Sequence, residues 1–297
     1  MEIPSLCNFF AFSNFWATWA LLFSLASVSI MISSGITFYV YYVNPTYEQW
    51  RWKTNPRYPS PESVRMEIFK TMKGALIVSF CPSMALYLAQ YKYSKAFCGM
   101  EEYGLAYNVL HFLGLWLVTD FYEFFYHWIG HVSSAAWANH KSHHKFSNPS
   151  PFAVIADDAV DQVFRSLPLL AFPILIPVNI ELLFAQWAVI FYIYGTYLHW
   201  GYESQYIHAH NPILNTAYDH HLHHSRSIKN KAIRTGFFFK IWDNMFGSVQ
   251  KDKCFCVRCQ HAAGKRTMKD FAKIKIPDYS VLLQPGFWLT SNWDFVQ

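Results

Sequence analysis

The stretch HWIGHVSSAAWANHKSHH, from His127 to His144, holds five histidines in eighteen residues, and HHLHH at His220–His224 repeats this density. The histidines of the first motif are four residues apart, and the other two motifs combine spacings of three and four. On a helix, residues three and four apart share a face. Several neutral imidazoles that point the same way suit iron, zinc or copper. The pattern therefore predicts helices that carry metal ligands.

A metal explains this density of histidine better than an ordinary protein core does. Imidazoles packed so closely repel one another when protonated, unless a metal ion holds them together. Eight nitrogens exceed the four ligands of a structural zinc site, and no cysteine lies among them. We therefore predict two adjacent metal ions; iron suits oxidation beside a membrane, and the residue types leave zinc open. The eight are His127, His131, His140, His143, His144, His220, His223 and His224.

Composition places these motifs in a membrane protein. Of the 297 residues 53% are hydrophobic and only 14% are charged, whereas a soluble domain has about 25% charged residues. About 20 apolar residues cross a bilayer as a helix. Residues 15–43 and 74–91 are predicted spans, and 105–119 begin a third span that runs on through Asp120 into the first histidine motif.

Loop charge predicts the orientation of these spans. The loop between the first two carries six basic residues and should stay in the cytosol, so the third span returns His127 to the cytosolic face. The net charge is +5, but its bases adjoin spans instead of forming a stripe, which argues against nucleic acid as a partner. The six are Arg51, Lys53, Arg57, Arg65, Lys70 and Lys73.

A last apolar stretch, residues 167–200, is too long for one helix and is interrupted by Pro168, Pro173 and Pro177. A single crossing would separate HHLHH from HKSHH by the membrane. We therefore predict a hairpin that turns around 177–179 and returns near His199. The predicted fold is an all-α polytopic membrane bundle of about four transmembrane elements, with a cytosolic histidine-rich cap. Its regions are a 1–104 anchor, a 105–250 catalytic region and a 251–297 cytosolic tail.

From Asp120 to Ser248 the chain resembles the sterol desaturase/fatty acid hydroxylase family of membrane non-haem di-iron enzymes. The resemblance rests on HWIGH, HKSHH, HHLHH and the later WDNMFGS. Within that family, HKSHHKFSNPSPFAVIADDAVDQVFRSLP and LHWGYE are most similar to sterol C5-desaturases (lathosterol oxidases). Two features depart from the pattern: Trp128 replaces an arginine, and SRSIKNKAIRTGFFFKI replaces a shorter segment, of which Gly236 alone is kept.

The resemblance implies a di-iron site held by the eight histidines and His199, which occupies the position of a further family histidine. It implies oxygen-dependent desaturation or hydroxylation of a lipid, most similar to a sterol C5-desaturase, in the endoplasmic reticulum membrane. Electrons would come from NAD(P)H through cytochrome b5 or a similar cytosolic carrier. A fatty acyl or sphingolipid hydroxylase of the same fold is the first alternative, and a non-catalytic metal-binding or scaffold protein is the second.

Two carboxylates are candidates to support the metal ligands. Asp120 lies seven residues before His127 on the same helical face, and the family position favours it. A carboxylate that accepts the second N–H of a metal-binding imidazole fixes its tautomer. Among Asp157, Asp158, Asp161 and Asp243, we favour Asp161 for the same role. Glu123 is left open.

The tail contains KCFCVRCQH, in which Cys254, Cys256, Cys259 and His261 are close enough in sequence for one zinc ion. The spacing is not that of a standard zinc finger, so we favour reduced cysteines without metal. His208 and His210 precede Pro212 in a predicted loop, and we favour solvated histidines there over ligands.

Overall fold

The computed structural model describes residues 14–249 and 253–289. Its first helix, α1, is Phe15–Phe38, and Tyr39–Val43 continue it as a wider π-helical turn. The side chain of Asn14 accepts the N–H groups of Trp16 and Ala17 and so caps the start. Apolar side chains on the outer face, such as Val28 and Ile36, are exposed, as expected for a helix in lipid.

Three helical segments of the described ranges are long and apolar enough to cross a membrane, namely 15–43, 61–90 and 180–199. The first has the predicted bounds. The second is longer than the predicted 74–91 and consists of α3, Pro61–Val78, and α4, Phe80–Gln90, which meet at Ser79. A short helix, α2, at Tyr47–Trp50 lies in the loop before α3.

Helix α5, Gly104–Val132, runs without a break through Asp120 to His127 and His131. Its 29 residues correspond to about 43 Å, enough to connect the two ends of the bundle. At its first end, β1 (Ala96–Phe97) pairs in parallel with β2 (Val178–Asn179). The histidine motifs therefore lie at the opposite end of the bundle from this small sheet.

The stretch 167–200 forms a hairpin, but its prolines do not all interrupt it. Helix α7, Ala159–Leu175, passes through Pro168 and Pro173. Pro168 cannot donate to the carbonyl of Phe164, and the hydroxyl of Tyr122 donates to that carbonyl instead. After the turn at 176–179 the chain returns as α8, Ile180–Ala185, a π-helical turn, Gln186–Phe191, and α9, Tyr192–His199.

Both ends of this hairpin lie at the histidine-rich end of the bundle. At the start of α7, Asp161 approaches His140, and α9 ends at His199 itself. The turn between them contacts the other end, where the hydroxyl of Tyr107 donates to the carbonyl of Pro177. This arrangement agrees with the predicted turn around 177–179 and keeps both sets of histidines on one side.

The remaining short elements build the cap around the histidines. They are α6 (Ser134–His140), the 3-10 turns His143–Lys145 and Pro151–Ile155, α10 (Ala217–Arg226), α11 (Ile241–Phe246), α12 (Val257–Ala262), α13 (Met268–Phe271), the 3-10 turn Tyr279–Leu283 and α14 (Pro285–Leu289). The tail packs on the cap, since Tyr279 lies in one core with Phe38, Tyr42 and Trp50.

Close approach between α3 and the turn Pro151–Ile155 depends on Gly74. A Cβ at Gly74 would collide with the carbonyl oxygen of Ile155. At Gly35 in α1, a Cβ meets no atom of the described chain within 4 Å.

We predict that Gly74→Ala destabilises the protein by about 1–3 kcal/mol through overpacking, whereas Gly35→Ala leaves stability unchanged or raises it. Thermal unfolding in detergent would measure both, and equal midpoints would contradict this packing.

Candidate metal centre

All nine predicted histidine ligands converge in two groups, within each of which the candidate ligand nitrogens lie within 4.8 Å of one another. The first group has five members and the second has four. The five are His127, His131, His140, His144 and His223, and the four are His143, His199, His220 and His224.

The two groups interleave, because a single motif contributes to both. In each motif the pair four residues apart stays together: His140 with His144, and His220 with His224. The histidine three residues after the first in each of these motifs crosses over. His143 of HKSHH lies with His220 and His224, and His223 of HHLHH lies with His140 and His144. The rings of His143 and His224 are 4.4 Å apart, and the rings of His144 and His223 are 4.7 Å apart. This crossing brings the two groups side by side.

Distances between ring nitrogens fit metal coordination. The Nε2 atoms of His199, His220 and His224 are separated by 2.9, 3.1 and 3.3 Å, and those of His140 and His144 by 3.2 Å. Nitrogens bound to one metal at about 2.1 Å are separated by about 3.0–3.4 Å in octahedral or tetrahedral geometry. The residues present therefore fit two metal ions.

Unpartnered nitrogens support the same conclusion. The Nε2 atoms of His127, His131 and His223 are buried without a hydrogen-bond partner among the residues that the structure describes. Burial of a polar atom without a partner is unfavourable. A metal ion in the first group would satisfy all three.

Burial favours the neutral form of several cap imidazoles, which is the form that binds metals. Burial lowers the pKa of His143 to about 4, although Asp157 opposes that change. Burial, reinforced by neighbouring histidines, holds the pKa values of His220, His223 and His224 well below the ordinary value. Each ring can then offer a lone pair at neutral pH.

Main-chain carbonyls fix the orientation of several rings. The Nδ1 atoms of His127, His199 and His223 lie 3.0, 2.8 and 2.8 Å from the carbonyl oxygens of Thr235, Gly195 and Ile233. In the same way, Nδ1 of His131 lies 3.2 Å from the carbonyl of Ile228. A carbonyl accepts only, so these contacts place the proton on Nδ1 and leave Nε2 free for metal.

Two aspartates face imidazoles directly. An oxygen of Asp161 lies 3.4 Å from Nδ1 of His140, and its other oxygen accepts the hydroxyl of Tyr126 at 2.6 Å. The sequence analysis favoured Asp161 for this position. Asp157 is closer still, with 2.6 Å between its Oδ1 and Nδ1 of His143.

Arg165, which the sequence analysis did not select, ties Asp157 to Glu123. Its guanidinium donates to Asp157 at 2.6 Å and to Glu123 at 3.0 Å. Burial opposes ionisation of Asp157, but His143 and Arg165 together hold its pKa well below the usual range. The only sequence signal for Arg165 was its place one turn after Asp161 on α7.

Asp120 occupies a different place from the one expected. Its carboxylate accepts the backbone N–H groups of Phe238 and Phe239 and the indole N–H of Trp242, while His127 is oriented by the carbonyl of Thr235. The carboxylate is fully buried, and a buried carboxylate takes nearby N–H donors. Asp120 therefore holds the loop after α10 and does not orient His127.

Asp243 supports that loop from its other side. It accepts the N–H groups of Thr235 and Gly236 and the hydroxyl of Ser248. The carbonyl that orients His127 belongs to this same Thr235, so Asp243 acts on the metal centre through the loop.

A mostly apolar cavity of about 450 Å³ lies between the bundle helices next to this centre. Its wall includes Leu25, Leu169, Trp187 and Phe191, and its charged lining residues are Glu123 and Arg165. It also reaches Gly195, whose carbonyl orients His199. Ligand cavities of about 300–1,000 Å³ hold small organic molecules. The space suits an apolar molecule.

Comparisons with known proteins agree with this architecture. Residues 112–248 match the family model for fatty acid hydroxylase. A Delta(7)-sterol 5(6)-desaturase of Gibberella zeae is 30% identical over 189 residues, which are 63% of this chain and 51% of the relative. One from Aspergillus fumigatus is 29% identical over 220 residues, 71% of this chain and 59% of the relative.

The human lathosterol oxidase is 27% identical over 195 residues, which are 65% of this chain and 63% of that enzyme. The matched part thus spans between half and two thirds of each of these relatives. No solved structure matches the chain. The family match covers all nine histidines of the two groups and the loop that Asp120 and Asp243 hold. Residues 112–248 of this chain are therefore similar to the fatty acid hydroxylase family, and the chain is similar in sequence to sterol 5(6)-desaturases.

Proposed function

We propose that this protein is a membrane-bound di-iron oxidoreductase that uses O2 to oxidise a sterol at C5 and C6, the positions given in the names of its relatives. The observation that carries the proposal is the pair of histidine groups beside an apolar cavity. The sequence relatives supply the substrate class, since two of them are named as Delta(7)-sterol 5(6)-desaturases.

The donor set is compatible with several metals, because imidazole binds iron, zinc and copper alike. The similarity to the fatty acid hydroxylase family favours iron. Two bound irons would supply the oxygen-activating redox chemistry that removes hydrogen from an unactivated carbon. Loss of two hydrogens from the lipid provides two of the four electrons that reduce O2 to water. An external donor must provide the other two.

The side chains of this protein would position the lipid and hold the metals. The apolar wall of the cavity binds the hydrocarbon body and excludes water. Arg165 pairs with both Asp157 and Glu123 at the charged part of the cavity, so that neither carboxylate is left without a cationic partner beside a lipid. The carbonyl-bound imidazoles keep their Nε2 atoms directed at the metals.

The distribution of charge supports a cytosolic position for the metals, in the membrane of the endoplasmic reticulum. The basic loop contacts the histidine-rich end, where Lys53 pairs with Tyr202 and Lys70 donates to the carbonyl of Ser142. At the other end, residues 91–104 carry two lysines and two glutamates. The positive end of a membrane protein faces the cytosol. NAD(P)H could then supply electrons through cytochrome b5 or a similar carrier on that side.

The direct test is to express the full chain in membranes without their own sterol desaturase. We expect labelled Delta(7)-sterol, with O2, NADH and a cytochrome b5 system, to give the sterol with a new 5(6) double bond. Mass spectrometry of the extracted sterols measures it. His220→Ala should abolish turnover, and the neighbouring His221→Ala, outside both groups, should retain it.

Other products would change the proposal in defined ways. A hydroxylated sterol would replace desaturation by hydroxylation, and conversion of labelled fatty acid instead of sterol would favour a fatty acyl hydroxylase. An intact protein that binds no iron and takes up no oxygen with either lipid would leave a metal-binding or scaffold role. A transporter is less well supported, since its ligands should line the spans and these lie at one end.

Asp157 should affect iron binding and turnover through its contact with His143. We predict that Asp157→Asn, which keeps the size of the side chain, lowers iron affinity or turnover by about 10–100-fold, as is usual when the partner of a metal-binding histidine is lost. Asp158→Asn is the matched control, because Asp158 caps α7 by accepting the N–H of Val160 and asparagine caps equally well. Iron content and turnover are the measurements. Equal values for both variants would contradict a role for Asp157.

The cavity also predicts that two neighbouring residues of one helical turn respond differently when their side chains are enlarged. Ala188 lines it, whereas the neighbouring Val189 is outside the lining and 55% exposed. Ala188→Phe should reduce sterol turnover while iron content stays unchanged, and Val189→Phe should have little effect. A clash of about 1–3 kcal/mol corresponds to a loss of about ten- to hundredfold in turnover efficiency. Normal turnover by the Ala188 variant would exclude this cavity as the lipid site.

A further inference from the structure

A second cluster of metal-binding side chains lies outside the di-iron centre. The thiols of Cys254, Cys256 and Cys259 and the imidazole of His210 bring their ligand atoms within 4.8 Å of one another. The three thiols are free cysteines. We propose that these four residues bind one structural zinc ion, which fastens the tail to the metal-bearing cap.

The geometry matches a tetrahedral site. Nε2 of His210 lies 3.4, 3.5 and 3.6 Å from the Sγ atoms of Cys254, Cys256 and Cys259. Zinc binds sulfur at about 2.3 Å and nitrogen at about 2.0–2.1 Å, so a tetrahedron has a sulfur–nitrogen edge of about 3.6 Å. One imidazole thus stands at the edge distance from all three sulfurs at once. Three thiolates and one histidine are a usual structural zinc set.

The sequence analysis considered His261 as a possible fourth ligand but favoured reduced cysteines without metal and a solvated His210; the structure places His261 elsewhere and brings His210 to the three thiols. Nε2 of His261 lies 3.0 Å from the carbonyl oxygen of Arg51, and its ring packs edge-on against Trp52. His210 comes instead from the loop between α9 and α10, far away in the chain. The separation in sequence explains why the C-x-C-x2-C spacing alone did not identify a complete site.

Both halves of the site are held by contacts that do not involve a metal. On the His210 side, Lys240 donates to the carbonyls of Ala209 and Asn211 and pairs with Asp219. These contacts fix the loop on either side of His210. The ligand is therefore presented by an ordered segment.

On the cysteine side, the N–H of Phe255 donates to the hydroxyl of Tyr218, and the N–H of Val257 donates to Glu203. Cys256 is fully buried against Ala209, Tyr218 and Leu222. The N–H of Cys256 also donates to Sγ of Cys254 at 3.5 Å, so the backbone helps to hold the first thiol in place.

The place of the site in the fold gives it a structural role. His210 lies between two segments of the di-iron centre, α9 with His199 and α10 with His220, His223 and His224. Beyond Cys259 the tail packs on the loop between α1 and α3, where the hydroxyl of Tyr47 donates to the carbonyl of Arg266. A zinc ion would thus cross-link the tail to the cap. It would also fix the loop between α9 and α10, the two helices that carry His199 and the HHLHH histidines.

The test uses the purified full chain in detergent, with zinc and iron counted by elemental analysis and zinc examined by X-ray absorption. We expect one zinc per chain whose absorption shows mainly sulfur neighbours, which the histidine groups cannot supply. His210→Ala should lower zinc at least tenfold, and His210→Cys should restore it by supplying a fourth thiolate. His261→Gln is the matched control and should keep zinc at the wild-type level.

Three results would overturn the proposal. They are a wild-type chain without zinc whose three thiols all react with an alkylating reagent, zinc surrounded by nitrogen only, and an intact mass that reveals a disulfide among the three cysteines. Loss of zinc in the His261 variant with retention in the His210 variant would assign the fourth ligand to His261. If His210→Ala cannot be purified, the absorption spectrum of the wild-type protein and the zinc content of His210→Cys still test the proposal. The di-iron proposal is independent, since none of these four residues belongs to either histidine group.

Discussion

The constraint on which the rest of the structure depends is that many imidazoles must be buried together, each with its Nε2 free. A buried nitrogen without a partner is unfavourable, so the fold has to satisfy one nitrogen of a ring and direct the other inward. It does so with main-chain carbonyls for His127, His199 and His223 and with Asp157 for His143. The remaining nitrogens then converge at spacings that suit metal ions.

This requirement accounts for the architecture of the bundle. Ligands enter at the ends of four helices: α5, α6, α9 and α10. All four ends must lie at the histidine-rich end of the bundle. The hairpin of α7 and α8–α9 makes this possible, because it starts at that end near Asp161 and returns to it at His199. Pro168 within α7 is tolerated because Tyr122 of α5 donates to the carbonyl of Phe164, which Pro168 leaves free. The same contact ties the hairpin to the helix that carries the first two ligands.

Local spacing predicted which histidines lie together, whereas their hydrogen-bond partners required the tertiary structure. Residues four apart share a helical face, and each such histidine pair does stay in one group. The exchange of His143 and His223 between groups depends on how three motifs approach one another, which spacing does not encode. Carbonyl partners leave no signal in side-chain identity, because every residue has a carbonyl. Helical phase alone also put Asp120 beside His127, although the nearer N–H donors of Phe238, Phe239 and Trp242 bind its carboxylate.

The segment that departs most from the desaturase pattern, SRSIKNKAIRTGFFFKI, has two separable tasks. Its carbonyls at Ile228, Ile233 and Thr235 orient three of the five histidines of the first group. A carbonyl does not depend on the side chain of its residue, so this task tolerates sequence change as long as Asp120 and Asp243 hold the backbone. Phe237 in the same segment lines the apolar cavity, and there the side chain itself sets the shape. Divergence in this loop can therefore alter which molecule fits the cavity while the two histidine groups keep their arrangement.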